Sequence, residues 1–417
     1  MHYSLFGEKL SAHSGILELM QDLGEALDQP GKICMLGGGN PAHLPEVNAL
    51  WRRRMTEILA NADEFEHMVA DYDSPKGKHS FLTAVASLLE QEYGWDIGPE
   101  NVAVTNGSQS AFFYLFNMFA GGYPDGRSRQ ILCPVIPEYV GYADQGVHSG
   151  MFRGTIPFIE ELPPHRFKYR VNFDRVAIDD QIGAICVSRP TNPTGNVVTD
   201  EEIARLSAVA RERGIPLLVD NAYGMPFPGI IFTDASPVWE PGIVLSMSLS
   251  KLGLPSVRTG IIVADPDIVS RLAGVNAVVS LANGSLGQVL TRPMFEDGSI
   301  LSLARDVIRP FYRARAALAQ QWVDEFFGDN FDYAVHVCEG SIFLWIWFRN
   351  LTISTKELYR RLKARGVIVV PGEYFFFGID DEWPHSRQCI RVNYCHNSEA
   401  VREGISIIGE EVHRASR

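Results

Sequence analysis

From about residue 100 the chain alternates short aliphatic runs with longer helical stretches, and this alternation narrows the choice of fold more than any other feature of the sequence. A strand that passes to a helix and then to another strand builds a mostly parallel sheet covered by helices. Strands are expected at 101–105, 130–135, 183–187, 215–219, 243–247 and 260–264. Helices are expected at 108–119 and 200–213, the second opened by Thr199 as N-cap. Beyond residue 298 the pattern changes: a long helical stretch, 299–327, leads to a strand at 341–348, a helix at 355–365 and a strand at 389–393. The expected fold class is α/β. A large body over 45–298 would have its mostly parallel sheet sandwiched by helices, and a smaller α+β body would be made from both chain ends, 1–44 and 299–417.

With 417 residues, 46% hydrophobic and 21% charged, the chain can bury a sizeable core and has no stretch of disordered composition. Its net charge of -13 is spread without blocks of like charge, so no nucleic-acid partner is expected; Arg52, Arg53 and Arg54 read as a solvated helix face. No apolar run approaches the roughly 20 residues of a membrane-spanning helix. The densest, 342–348, is strand-sized, and the start MHYSLFGEKL lacks the apolar core of a secretory signal, so a cytoplasmic protein without a membrane partner is expected. Six cysteines without a CxxC pair suggest neither a zinc cage nor a disulfide framework. The eleven histidines show no HExxH or clustered spacing, so no metal is expected.

In open α/β sheets ligands sit beyond the carboxyl ends of the strands, so the residues placed there carry the functional information. After the run NVAVT come Asn106, Gly107, Ser108, Gln109 and Ser110, then an apolar helix. Small and hydroxyl residues at a helix start leave free N–H groups that suit a phosphate, though an ordinary N-cap at Ser108 fits the same residues. The run IPLLVD ends in Asp220, followed by Tyr223. A carboxylate at a buried strand end calls for a cation, either a structural salt bridge or a ligand. Ser248, Ser250 and Lys251 follow the apolar run IVLSM, and Arg258 comes seven residues after the lysine. A lysine among apolar neighbours and near another cation has a depressed pKa, the condition for Schiff-base chemistry. Asn192 lies in the turn RPTNPTG, where flanking prolines hold its amide rigidly.

The strings NPTG, VDNAYG and SLSK, in this order and spacing, resemble those of the fold-type I PLP-dependent aminotransferases of the aspartate aminotransferase superfamily, over essentially the whole chain. The longer strings LGGGNP, TNGSQSAFFYLFN, SRPTNPTGN and DNAYGMPFPGIIF look more closely like its valine–pyruvate branch. The resemblance implies pyridoxal 5'-phosphate as cofactor, held by Lys251 as a Schiff base, with Lys251 later moving a proton between substrate and cofactor. It implies that Asp220 pairs with the pyridine nitrogen, that Asn192 and Tyr223 hydrogen-bond the phenolate oxygen, and that Tyr139 stacks on the ring. Gly107, Ser108, Gln109, Ser248, Ser250 and Arg258 would hold the phosphate. Tyr72 would reach the phosphate of a neighbouring subunit, which implies a homodimer with shared sites. Arg391 would grip the substrate α-carboxylate, and Gly39 would close over the substrate. Many relatives have eight residues from the lysine to the phosphate arginine, so the seven here require a tighter loop.

The implied reaction is a ping-pong exchange of an amino group between an amino acid and a 2-oxo acid. Dicarboxylate-specific relatives bring a second arginine from the neighbouring subunit, some thirty-odd residues after the lysine, whereas VNAVVSLANGSLGQVL here has no Arg or Lys. A side-chain carboxylate would go unpaired, so neutral aliphatic substrates are expected, valine with pyruvate foremost; MPFPGIIF could supply apolar pocket wall or plain core. Two other readings fit the same fold: a PLP-dependent β-lyase, and a regulator carrying an aminotransferase-like domain.

Overall fold

A computed structural model of the chain describes residues 2–416 apart from 13, 29–32, 330 and 381; the remaining residues of the expected terminal segments, 1–44 and 299–417, lie outside the described residues. At its centre is an eight-stranded sheet. Across it run Val102–Thr105, Gly260–Val263, Ile243–Ser248, Leu217–Asp220, Ile182–Ser188 and Ser128–Cys133, with Gly121–Gly122 and Phe152–Gly154 both paired to the last. The four central pairings from Ile243–Ser248 to Ser128–Cys133 and on to Phe152–Gly154 are parallel. Gly260–Val263 runs antiparallel to both of its neighbours. The reason is chain length: only residues 249–259 link Ile243–Ser248 to Gly260–Val263, and a parallel return needs a crossover of about a dozen residues or more. The strands 217–220, 243–248 and 260–263 are buried along their whole length, which is why they read as unbroken apolar runs rather than alternating ones.

The expected elements appear with shifts of a residue or two at their ends. Ser108–Phe119 and Cys389–Asn393 match in full. The expected helix 200–213 is Asp200–Glu212, where Thr199 and Glu202 form a reciprocal capping box. The stretch 299–327 is helical throughout but contains a π-helical turn, Leu303–Ile308, ahead of Arg309–Phe327. Pro310 has no N–H to offer the preceding turn, which accounts for the irregular ladder there.

A second sheet of six strands runs in the order Val370–Pro371, Cys389–Asn393, Phe343–Phe348, Tyr333–His336, Arg166–Arg170 and Phe158–Leu162. Its last two strands form a hairpin from within the span 45–298, so this part of the expected large body hydrogen-bonds into the sheet of the C-terminal segment. Strand Arg166–Arg170 pairs in parallel with Tyr333–His336, and buried Lys168 bonds Asn196 Oδ1, the Val197 carbonyl and Glu339, tying the hairpin to the turn before helix Asp200–Glu212 and to the C-terminal segment. Near the N-terminus Cys34–Met35 pairs in parallel with Val367–Ile368. No helix among the described residues is long and apolar enough to cross a membrane.

Candidate active site

Parallel strands that end together place their following loops together. Ser188, Asp220 and Ser246 lie in register on three adjacent strands, and their loops open into a cleft of about 220 Å³. Most residues named above on sequence grounds line it: Ser108, Gln109, Tyr139, Asn192, Asp220 and Tyr223 on one side, with Ser248, Ser250, Lys251, Arg258, Arg391 and Gly39 completing the wall. Gly107 stands directly behind Ser108. Tyr72 does not line the cleft; it is 84% exposed on the outside of the chain.

The phosphate-site reading and the N-cap reading of Ser108 separate here. Ser108 is the first helical residue, Gly107 occupies the cap position, and no side chain caps the helix. Its leading amides therefore remain available to an anion. Gly107 has φ +81°, and a Cβ there would run into the Arg258 guanidinium. The short seven-residue loop brings Arg258 to this spot by placing it in the left-handed region, φ 48°, after two 3-10 turns. Arg258 donates to the Pro255 carbonyl at 3.1 Å, and no carboxylate ion-pairs with it among the described residues. A free guanidinium against an uncapped helix start and two hydroxyls, Ser248 and Ser250, fits a phosphate group.

Asp220 also has a single remaining interpretation. It is buried, accepts from Tyr142 Oη and from the Ala222 amide at 3.0 Å, and ion-pairs with no cation among the described residues. Burial raises its pKa, against the Tyr142 and Ala222 hydrogen bonds that lower it. Such a carboxylate suits a ligand that brings its own positive N–H. Lys251 faces it across the cleft, with its ammonium 5.0 Å from the Tyr223 ring centre and donating to the Gly39 carbonyl at 2.6 Å. Burial pulls its pKa down to about 8, helped by Arg391 and Arg258 and opposed by Cys395. Arg391 is buried against the Phe343 ring and donates to Asn192 Oδ1 at 2.8 Å and to the Gly37 carbonyl at 2.6 Å, while its Nε has no partner. Because Asn192 spends its oxygen on Arg391, its NH2 is the group left for a ligand. The residues thus fit a phosphorylated pyridine aldehyde in each part: anion cradle, acid for the ring nitrogen, amine for the aldehyde.

A model of the family described as aminotransferase class I and II matches residues 51–408. The chain is a class I and II aminotransferase. It is 50% identical over 415 residues to the valine–pyruvate aminotransferase of Escherichia coli (strain K12), covering 100% of this chain and 99% of that one. It superimposes on the crystal structure of valine–pyruvate aminotransferase from Salmonella typhimurium LT2 with a TM-score of 0.88 at 46% identity, over 96% of this chain and 99% of the other. The α-aminoadipate aminotransferase of Thermus thermophilus, solved with N-(5'-phosphopyridoxyl)-L-leucine, shares the fold at a TM-score of 0.76 and 22% identity, covering 99% and 97% of the two chains. Among solved structures, then, this aminotransferase has the fold type I architecture that its motifs imply. A full-length match to transaminases leaves the β-lyase and regulator readings without support of their own.

Several groups of this aminotransferase's site carry no local sequence signal. Tyr142, whose hydroxyl bonds Asp220, sits three residues after Tyr139, and nothing local marks it as more than core. Glu138 is 1% exposed; it accepts from the Ser188 amide at 2.8 Å, from Ser188 Oγ and from the Tyr139 amide at 3.2 Å. Burial lifts its pKa to about 8, the Ser188 hydrogen bonds opposing, so the acid is mostly neutral at pH 7. Ile16 and Met20, from the helix Gly15–Asp28, add apolar surface to the cleft.

Proposed function

We propose that this aminotransferase uses pyridoxal 5'-phosphate to move an amino group between a neutral aliphatic L-amino acid, valine or alanine, and a 2-oxo acid, pyruvate or 3-methyl-2-oxobutanoate. The cofactor supplies an aldehyde to carry the nitrogen and a ring that takes up the electrons freed at the substrate Cα. Lys251 would hold the cofactor's aldehyde, and its Nζ, once released as the free amine on exchange with the substrate's amino group, would carry the proton that leaves Cα; burial, which lowers its pKa, is what makes that amine a usable base. Asp220, kept in place by Tyr142 and the Ala222 amide, would hold the ring nitrogen in its protonated form. Gly107, Ser108, Gln109, Ser248, Ser250 and Arg258 hold the phosphate, Tyr139 covers the ring face, and Asn192 and Tyr223 serve the ring oxygen. Arg391 takes the substrate carboxylate, a planar group that its fork matches on two oxygens. Gly39 lies over the substrate.

The substrate class rests on one observation. The cleft is lined by three cationic side chains, Lys251, Arg258 and Arg391, and each already has an assignment. No further cation among the lining residues would neutralise a side-chain carboxylate, whereas Ile16, Met20 and Val140 offer apolar surface to a branched side chain. The two relatives with valine–pyruvate names at 50% and 46% identity support the same pair.

The chain divides into a large body over 45–298 and a smaller one from 1–44 and 299–417, with the hairpin 158–170 as a strut between them. Two chains form a homodimer whose sites are shared, Tyr72 of each reaching the other's phosphate; its exposure in the single chain supports this. The buried thiols suit the reducing cytoplasm.

An absorption spectrum of the protein with added pyridoxal phosphate, before and after L-valine, tests the reading, with Lys251→Ala alongside. A band that bleaches with valine and is changed in Lys251→Ala is expected. A band shifted by aspartate and indifferent to valine would refute the substrate class, and no band at all would refute the whole reading.

A further inference from the structure

The segment Gly37, Gly38, Gly39 and Asn40 borders the cleft through Gly39, and its four successive carbonyls are each taken by a different side chain. Arg391 Nη2 donates to Gly37 O at 2.6 Å, Asn393 Nδ2 to Gly38 O at 2.6 Å, Lys251 Nζ to Gly39 O at 2.6 Å and Cys395 Sγ to Asn40 O at 3.3 Å. Strand geometry explains three of these. Side chains on a strand alternate faces, so Arg391, Asn393 and Cys395, at and just past the end of Cys389–Asn393, point to one side at successive steps. Asn393 is fully buried and wholly engaged around this segment, since its own amide donates to Leu36 O at 2.7 Å and its Oδ1 accepts from the Cys395 amide at 2.7 Å.

Two of the four donors have other work. On the reading given above, on which this inference rests, Lys251 binds the cofactor and Arg391 the substrate carboxylate. Each must then give up, or share, its bond to a glycine carbonyl. The bonds that stay with the segment through the reaction are those from Asn393 and Cys395, and the Asn393 bond is the shorter and stronger. We infer that Asn393, assisted by Cys395, is a positioning residue that keeps the segment 37–40 seated over the cleft while Lys251 and Arg391 are engaged with cofactor and substrate. Its role is toward amino-acid affinity: the reacting atoms meet Lys251 and Asp220, and the segment roofs the space where the substrate sits. A buried amide that loses its partner leaves a carbonyl unsatisfied, so the cost of removing Asn393 falls on the seated state.

Asn393→Leu keeps the size of the side chain and removes its hydrogen bonds. In the full-length protein loaded with pyridoxal phosphate, the expected result is an unchanged cofactor band, a KM for valine raised about tenfold and a kcat within about twofold. Alkylation of Cys395, read by peptide mass, reports the segment directly, because that thiol is 1% exposed beneath Asn40. It should speed up about tenfold in the variant, with Cys133 and Cys186 on the central strands unchanged. A retained band with unaltered Cys395 alkylation would overturn the inference alone, as would equal acceleration at all three cysteines, which reports general loosening. Absence of the band from the wild-type protein would overturn the functional reading and this inference with it. Should Asn393→Leu fail to fold, Cys395→Ala carries the test: a valine KM raised about threefold at constant kcat supports the inference, and an unchanged KM overturns it.

Discussion

Half-buried Lys251 and buried Glu138 set the acid–base behaviour of the cleft, and their pKa values move in opposite senses for the same reason, that loss of solvent penalises charge. Lys251 is pulled from 10.5 to about 8, so its amine is mainly protonated at pH 6 and neutral at pH 9. The rate at which it captures the aldehyde of added pyridoxal phosphate should rise with pH and level off above about 8; a midpoint near 10 in a stopped-flow absorbance series would contradict this. Glu138 moves the other way, from 4.5 to about 8. Between those values the folded chain holds a proton that the unfolded chain has lost, so stability contributed by this group falls as pH rises and flattens above about 8. Glu138→Gln, which cannot ionise, should therefore gain in Tm relative to the wild type between pH 5 and pH 9, measured by calorimetry. A gap independent of pH would show that Glu138 is not neutral in the fold. Position singled out Asp220 and Lys251 as candidates, and only the motifs around them, through the resemblance, gave them roles. Glu138 was not singled out, because a lone acid in a loop reads as solvated until the packing around it is known.

At the scale of elements, local chemistry and tertiary demand can be told apart by what each mutation costs. The capping box at Thr199 is a local device, visible in the spacing of Thr199 and Glu202. Thr199→Ala should cost about 1 kcal/mol, a drop of roughly 1 °C in Tm for a chain of 417 residues, with the cofactor band unchanged. Gly107 is a tertiary device. Alanine there needs a positive φ and displaces Arg258, so Gly107→Ala should weaken pyridoxal phosphate binding by about tenfold or more in a fluorescence titration while leaving Tm within about 2 °C. Wild-type affinity in Gly107→Ala would remove the helix start from the phosphate site. The hairpin 158–170 shows where local reading stops. FIEEL and RFKYR carry paired charges, Glu160 with Arg170 at 2.7 Å, and only the open edge of Tyr333–His336 settles which sheet they join.

For the whole molecule, the apolar surface left outside is informative. Val278, Val279 and Leu281 are exposed at 89%, 59% and 59%, and Asn276 and Asn283 of the same region both donate to Pro75 O, close to exposed Tyr72. An exposed apolar patch on the helix whose Asn276 holds the segment following Tyr72 suits the proposed dimer. Val278→Asp should shift sedimentation toward the single-chain mass of 46.4 kDa and weaken cofactor retention; an unchanged mass would place the dimer contact elsewhere. The sequence by itself determined the α/β class and the six long strands of the central sheet between residues 102 and 263, while the strands 121–122, 152–154, 158–162 and 166–170 went unread, because period, caps and turn residues act over a few positions and these short or charged strands carry no such period. What only the tertiary structure decided were contacts between distant positions. Tyr142 meets Asp220 across 78 residues, Arg391 meets Asn192 across 199, and Asn393 meets Gly38 across 355. No local pattern encodes such pairs, since they arise when two sheets pack and bring their strand ends to one cleft.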